Sequence, residues 1–445
     1  MEKNLTAGNP AKLILGFTIP LIIGNICQQL YAVIDTLIVG RTLGIHALAA
    51  VGSTGSLMFL MIGFLIGVTS GFSIVTGQRY GANDKIGVRK SVVACAILTL
   101  ISTVFLTIFG ILTARFFLET MQTPPELLED AYQFIVVIYS GIGITMIFNM
   151  LSNLIRALGD SRTPLFFLIV ASLLNIGLDL IFILVFSMGV QGAALATVIA
   201  QAVSALLCIW YILKYLPILR VEKSDWRIEW NILWDHIKIG FPMGFQAAII
   251  AVGAIVLQVA LNHLGANAIA AFAAAQKIDM IAIMPMMSFG MAMAAYTAQN
   301  YGAKNIARIN QGVNQCILMS VGFSIFIALI NIFFGGWMTS FFVGNDETEV
   351  IRLAQIYLNI NGVFYWVLSL LFIYRYTLQG LGKSVVPTVA GIMELIMRVF
   401  AAMVMAKFFG FAGVASASPL AWIGSAIPLI IAYYITLKKL FKKEF

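Results

Sequence analysis

Two aspartates lie inside long apolar stretches of this 445-residue chain. Asp35 stands in the segment CQQLYAVIDTLIVG, and Asp179 stands in the segment ASLLNIGLDLIFILVF. A carboxylate at membrane depth costs roughly 2.5 to 3.5 kcal/mol on insertion scales, so it usually faces a polar cavity and has a function there. The pair therefore predicts a buried acidic site that takes up a proton or a small cation.

Neutral oxygen-bearing side chains accompany the two aspartates. Asn175 precedes Asp179 by one helical turn, and Thr197 lies at comparable depth on the following apolar run. Carboxylate, amide and hydroxyl oxygens suit Na⁺, and two carboxylates placed close together favour retention of a proton by one of them. We predict that Asp35, Asn175, Asp179 and Thr197 form a site for H⁺ or Na⁺. Asn175 and Thr197 also fit an alternative role as polar contacts between neighbouring helices.

The composition indicates the elements that must position these residues. The chain is 61% hydrophobic and 10% charged, and its mean hydropathy is +0.97. Its four cysteines and three histidines lack the spacing of metal ligands. Apolar runs of about 20 residues predict an all-α membrane protein with twelve transmembrane helices. The predicted spans lie near 13–39, 47–76, 91–114, 131–155, 165–187, 190–213, 239–262, 268–297, 312–341, 351–376, 386–407 and 412–436.

The distribution of basic residues predicts the orientation. Most of the 27 Lys and Arg residues fall at the two ends of the chain and in the even-numbered loops. Basic residues are enriched on the cytoplasmic side of membrane proteins, so both termini are predicted to be cytoplasmic. The net charge of +8 follows from this bias, and we predict no binding of nucleic acid.

Four motifs occur twice at nearly constant separation. The separation is 221 residues for three of them (265 minus 44, 299 minus 78 and 410 minus 189) and 223 for the fourth (380 minus 157). This predicts two six-helix bundles related by a pseudo-twofold axis. We place the first lobe at 1–216, a cytoplasmic linker at 217–237 and the second lobe at 238–445. The motif pairs are GIHALAA with GANAIAA, QRYGA with QNYGA, ALGDSRTP with GLGKSVVP, and GVQG with GFAG.

Two six-helix lobes with a cavity between them are the architecture of a secondary transporter that works by rocking. The sequence contains no G-x-x-x-x-G-K-[ST] loop, which argues against an ATP-driven pump. Pro20, inside the first span, is predicted to act as a hinge, with a static kink as the alternative. We predict that the protein is not an enzyme and needs no cofactor beyond its coupling ion.

The second lobe also carries charged residues within its spans. Glu394 and Arg398 are four residues apart and are predicted to form an intrahelical ion pair. Lys277 and Asp279 are two apart, so they are predicted to find partners on other helices. Met287 belongs to a methionine-rich stretch that could line an adaptable pocket. These residues fit a structural network, a contact with substrate or a second ion-coupled switch.

These features together resemble the multidrug and toxic compound extrusion (MATE) family over the whole chain. The resemblance rests first on two homologous halves of six spans. It also rests on motifs within them: Q-x-Y-G-A in both halves, Pro20 with Ile34-Asp35-Thr36, the Arg156-Ala-Leu-Gly-Asp-Ser loop, and Asn175-x-x-x-Asp179 followed by Thr197.

The resemblance implies export of cationic amphipathic drugs and metabolites against an inward H⁺ or Na⁺ gradient. It assigns the cation site of the first lobe to Asp35, Asn175, Asp179 and Thr197. It points to bacterial members, and so to a multi-pass protein of the bacterial cytoplasmic membrane. We predict that the protein works as a monomer in the lipid bilayer.

Two other transporter classes are alternatives. The segment from Gly81 to Lys90 comes near the loop motif of the major facilitator superfamily, but its aspartate falls one place early. A lipid-linked saccharide flippase of the same broad superfamily as MATE is the second alternative. Flippases of that kind often have a strongly cationic cavity, whereas the charges predicted for this cavity are mainly acidic.

Overall fold

The computed structural model of the protein describes residues 4–227, 229–344 and 346–442. Both chain ends, one residue of the predicted linker and one residue of a loop in the second lobe lie outside the described residues. About 90% of the chain is helical, and the described part contains no β-strand, so the all-α prediction is confirmed. The helices are α1 Pro10–Thr42, α2 Gly44–Ser53, α3 Gly55–Gly81, α4 Lys85–Thr120, α5 Pro125–Ser140, α6 Ile142–Ala157, α7 Arg162–Leu180, α8 Gly189–Tyr215, α9 Trp230–Asn262, α10 Ala266–Gly302, α11 Ile306–Val343, α12 Thr348–Gly380, α13 Val385–Phe400, α14 Ala406–Ala415 and α15 Ala417–Phe441.

Eleven helices in the described part are long and apolar enough to cross a membrane, and the number is twelve when a bent pair is counted as one span. The bent pair is α5 and α6, which meet at 46° next to Gly141. The predicted second span is also broken, because α2 ends before Thr54 and α3 begins after it. Hydropathy did not reveal either break, since the residues on both sides are equally apolar. The twelve predicted spans are otherwise found.

The repeated motifs lie at turns between helices, where they provide residues that adopt the backbone conformation of the turn. Each motif pair places a residue with a positive φ, the left-handed backbone conformation, at the equivalent point of both halves. Glycine adopts this conformation readily, whereas most other residues are strained in it. The QRYGA and QNYGA motifs end α3 and α10, and the side chains of Asp84 and Asn305 then cap α4 and α11 by accepting hydrogen bonds from backbone N–H groups. The left-handed pairs are Gly44 with Gly265, Asn83 with Lys304, Gly159 with Gly382, and Gly189 with Gly410.

The chain forms two compact units, each with its own apolar core. The first unit contains Ile23–Gly244, and its core includes Phe72 and Leu154. The second unit contains Leu5–Ile22 together with the chain from Phe245 onward. The first residues of α1 therefore belong to the second unit, whereas the first residues of α9 belong to the first unit. Neither boundary coincides with a loop.

Candidate functional site

Three helices of the first unit bring the predicted cation-binding residues together. Helix α1 carries Tyr31 and Asp35, and helix α7 carries Asn175 and Asp179. Each pair is four residues apart, so its two side chains project from the same side of their helix. Helix α8 runs next to α7 and supplies Thr197.

The Thr197 hydroxyl is the centre of the hydrogen bonds at this site. It donates to the carbonyl of Ala193, 3.2 Å away, and accepts from the Asn175 amide nitrogen, also at 3.2 Å. The Tyr31 hydroxyl lies 3.2 Å from the same oxygen. Either of the two hydroxyls can be the donor in this contact. These bonds fix the position of Thr197 between α1 and α7.

The two carboxyl groups lie close enough to interact with each other, and the Tyr31 hydroxyl lies close enough to interact with both. Asp179 is fully buried and Asn175 is 2% exposed. Four buried oxygens accept no hydrogen bond from any described residue: Asp35 Oδ1, Asp179 Oδ1 and Oδ2, and Asn175 Oδ1. Buried acceptors without a donor are costly, so the site is complementary to a proton or a cation. In the described part of the chain no group of three His, Cys, Asp or Glu side chains could hold a metal ion. The polar groups gathered here are thus two carboxyl groups and the neutral oxygens of Tyr31, Asn175 and Thr197.

A π-helical turn at Ile181–Val185 begins two residues after Asp179. Such turns are rare and often occur near functional sites. Here the second half provides an internal control, because a π-helical turn also follows α13 at Ala401–Met405, where no acidic residue stands. The turn therefore belongs to the duplicated scaffold, whereas Asp179 has no acidic counterpart at the equivalent place in the second unit.

In the second unit, Asp279 of α10 has partners on another helix, as expected. Its carboxylate accepts hydrogen bonds from the hydroxyls of Tyr357 (3.0 Å) and Tyr365, both on α12. Asn331 of α11 donates to the Tyr365 hydroxyl at 2.9 Å. Asp279 is 3% exposed, so these contacts form a closed network that joins three helices. Arg398 lies close enough to interact electrostatically with Asp279.

The predicted ion pair between Glu394 and Arg398 is wrong. Glu394 of α13 instead pairs with Arg375 of α12, and both side chains are buried. Arg375 also donates to the hydroxyl of Ser425 on α15. An intrahelical partner at i+4 competes with partners on neighbouring helices, and burial favours the latter because it satisfies a charge that water cannot reach. Lys277 and Met287 both lie on α10. The Lys277 side chain is exposed, and the Met287 side chain is half-buried.

Pro20 is buried inside α1, fifteen residues before Asp35. The helix is assigned as continuous from Pro10 to Thr42. Proline still leaves the carbonyl four residues earlier without its helical hydrogen bond, so this point of α1 is locally weak. Pro242 has the equivalent place inside α9.

Sequence reasoning missed Tyr31 and Arg375, which complete the two polar sites. The indication for Tyr31 was its spacing of four residues from Asp35, the same spacing that joined Asn175 to Asp179. For Arg375 there was no comparable indication, since its partner lies on another helix.

A family model described as MatE matches residues 20–181 and 242–404 of the chain. The two matched segments correspond to the two halves that the repeated motifs define. Together they contain Asp35, Asn175 and Asp179, whereas Thr197 lies outside them.

Curated relatives match over most of the chain. The probable multidrug resistance protein YpnP of Bacillus subtilis (strain 168) is 26% identical over 85% of this chain and 84% of its own length. The probable multidrug resistance protein NorM of Thermotoga maritima is 24% identical over 97% of this chain and 91% of its own length.

Solved structures share the whole fold. A multidrug resistance MATE family transporter in an outward-facing conformation has a TM-score of 0.92 and 25% identity, with 98% of each chain covered. A MATE protein in a bent conformation has a TM-score of 0.90 and 25% identity, with 99% of this chain and 98% of its own chain covered.

Proposed function

The chain belongs to the MatE family of multidrug-efflux transporters, and we propose that it exports cationic amphipathic compounds in exchange for H⁺ or Na⁺. Because the chain belongs to this family, the alternative of a major facilitator superfamily transporter no longer applies. We propose that the protein is a monomer in the cytoplasmic membrane of a bacterium, with both termini in the cytoplasm. We propose that it transports its substrates without catalysing a reaction. It needs no cofactor, and H⁺ or Na⁺ is its coupling ion.

One observation carries the proposal of ion coupling. Four buried oxygens of Asp35, Asn175 and Asp179 accept no hydrogen bond from any described residue. Two anionic groups in contact, without a basic partner, are stable at membrane depth only when a proton or a cation neutralises them. The neutral contacts of Tyr31 and Thr197 hold the site in shape. They also leave the four acceptor oxygens available to a proton or a cation.

The exchange follows from differential binding. A coupling ion drives transport only if it binds one conformation more tightly than the other, because equal affinity shifts no equilibrium. We propose that the cation neutralises Asp35 and Asp179 in the outward-open state and displaces a cationic substrate. The lobes then rock, and the inward-open state releases the ion and takes up the next substrate molecule. A bend of α1 at Pro20 would couple occupancy of the site to the shape of the cavity.

Ethidium efflux from proteoliposomes tests this function under pH and sodium gradients that are imposed separately. We expect one of the two gradients to drive efflux by the unmodified protein. Asp35→Asn and Asp179→Asn should each abolish it, because each removes a charge that the coupling ion must neutralise. Asp346→Asn changes an exposed aspartate outside the membrane spans and is the matched control.

Wild-type efflux by both site variants would refute the assigned cation site. If neither gradient drives efflux by the unmodified protein, then the antiport mechanism is wrong. A lipid-linked saccharide flippase would become the better interpretation.

A further inference from the structure

Helix α6 carries a row of polar residues through a mostly apolar span. Thr145, Asn149, Asn153 and Arg156 are spaced by four, four and three residues, so they lie on one side of the helix. The two ends of the row are eleven residue steps apart (156 minus 145), or about 16 Å at 1.5 Å per residue. It lies in the same compact unit as the carboxylate pair.

The first end of the row adjoins the cation site. The Thr145 hydroxyl donates a hydrogen bond to the side-chain oxygen of Gln201 on α8. Gln201 follows Thr197 by one helical turn, so both project from the same side of α8. Thr145, Thr197 and Gln201 line a common cavity together with Met61 and Tyr139. Thr197 therefore borders both the cation site and this cavity.

The other end of the row reaches the end of α6. The Asn149 amide donates to the backbone carbonyl of Thr145 at 2.8 Å. The Asn153 amide lies 3.3 Å from the Ser70 hydroxyl of α3, and the Arg156 guanidinium donates to Asn153 Oδ1 at 3.2 Å. Arg156 is the last polar residue before the loop that joins α6 to α7.

Arg156 carries a charge that is poorly compensated. Its Nε is buried without a hydrogen-bond partner, and no acidic side chain in the described part of the chain forms an ion pair with it. Guanidinium is always protonated, so the charge is permanent. Its position in the last turn of α6 lets the helix dipole stabilise it in part. Arg156 as a whole is half-buried, and a cation without an acidic partner is costly in such a place, so its presence there needs an explanation.

We propose that the polar face of α6 is a hydrated path from the cation site towards the α6–α7 loop, and that Arg156 is the positive charge that blocks cations at its end. Neutral amides and hydroxyls solvate a passing cation without trapping it, as a conducting path requires. Such a path would let the coupling ion leak without substrate. A fixed positive charge raises the energy of a cation there and keeps transport coupled.

The proposal rests on the ion coupling proposed above, and substrate-independent leak tests it separately. Arg156→Met keeps the length of the side chain and removes its charge, whereas Arg156→Lys keeps the charge. Arg115→Met removes an exposed arginine of the same unit and is the matched control. Each purified variant is reconstituted without drug, and passive entry is measured with a pH indicator in one series and a sodium indicator in another.

We expect Arg156→Met to leak at least about ten-fold faster than the unmodified protein in one series, the effect of a unit charge within about 10 Å at an effective dielectric constant near 20. Arg156→Lys should leak at the unmodified rate. Adding Asn149→Leu to Arg156→Met should close the path and restore the low rate.

Equal leak by Arg156→Met and Arg115→Met in both series would overturn the proposal, and so would leak that Asn149→Leu does not reduce. Retained ethidium binding by Arg156→Met establishes that the variant is folded. If Asp35→Asn abolishes exchange while Arg156→Met leaks no faster than the unmodified protein, then only the path and its gate are wrong. If Asp35→Asn exchanges normally, then the ion-coupling proposal itself fails.

Discussion

Replacing Gly71 with alanine should destabilise the first unit, because α3 and the first part of α9 approach each other at backbone distance. A Cβ atom at Gly71 would lie 2.5 Å from the Cα of Gly240 and 2.8 Å from its nitrogen. A Cβ at Gly67, one turn earlier, would lie 2.6 Å from the carbonyl oxygen of Met243. Neither neighbour is a flexible side chain, so the helices themselves must separate.

The magnitude follows from two opposing effects. Overpacking of a close contact typically costs about 1–3 kcal/mol. Alanine in place of glycine inside a helix otherwise stabilises by roughly 0.5–1 kcal/mol. Gly52→Ala isolates the second effect, since a Cβ there would meet nothing within 4 Å. The alanine gain is common to both variants and cancels, so the unfolding free energies of Gly71→Ala and Gly52→Ala should differ by the overpacking cost, about 1–3 kcal/mol.

Thermal unfolding of the purified variants in detergent measures this difference, with the unmodified protein as reference. Gly71→Ala should unfold at a lower temperature than the reference, and Gly52→Ala at an equal or higher one. Ethidium efflux should fall with Gly71→Ala, because the contact attaches the start of α9 to the first unit. Equal unfolding midpoints for the two variants would refute the assigned close packing.

Two further predictions concern buried charges. Glu394→Gln should destabilise the protein by about 3–5 kcal/mol, because it leaves the buried charge of Arg375 without its partner; adding Arg375→Met should recover part of the loss in the same unfolding assay. Burial acts to raise the pKa of Asp160, but hydrogen bonds from Thr163 and Tyr211 outweigh it and hold that pKa below its usual range. The stabilisation is therefore complete at neutral pH and is lost as the pH falls through the lowered pKa, so Asp160→Asn should flatten the acid side of a plot of unfolding midpoint against pH.

The sequence predicted the spans and the repeat because both depend on local properties. Hydropathy reports burial in lipid, and a left-handed turn requires glycine or a tolerant residue wherever it is duplicated. The four residues of the candidate cation site stood out for a similar reason, since polar groups in apolar helices are conspicuous. Tyr31 escaped this search because its ring is compatible with lipid, and only its hydroxyl contacts Thr197.

Partner choice between helices could not be predicted. Glu394 has a basic residue one turn away on its own helix, yet it pairs with Arg375 of α12. The outcome depends on how far each helix is rotated and how deeply it is packed, and neither is encoded in a single span. The bend at Gly141 escaped for a related reason, because a window of apolar residues has the same hydropathy whether the helix is straight or bent.

The duplicated prolines connect the fold to the proposed mechanism. Pro20 in α1 and Pro242 in α9 each lie two residues before the point where the chain passes from one compact unit to the other. These two helices must absorb any change between the units, and proline weakens them at that point. The acid pair, however, exists in one copy, since Val256 occupies the place in α9 that corresponds to Asp35 in α1. Helix α1 therefore carries a carboxylate fifteen residues beyond its proline, whereas α9 has no charge at the corresponding place.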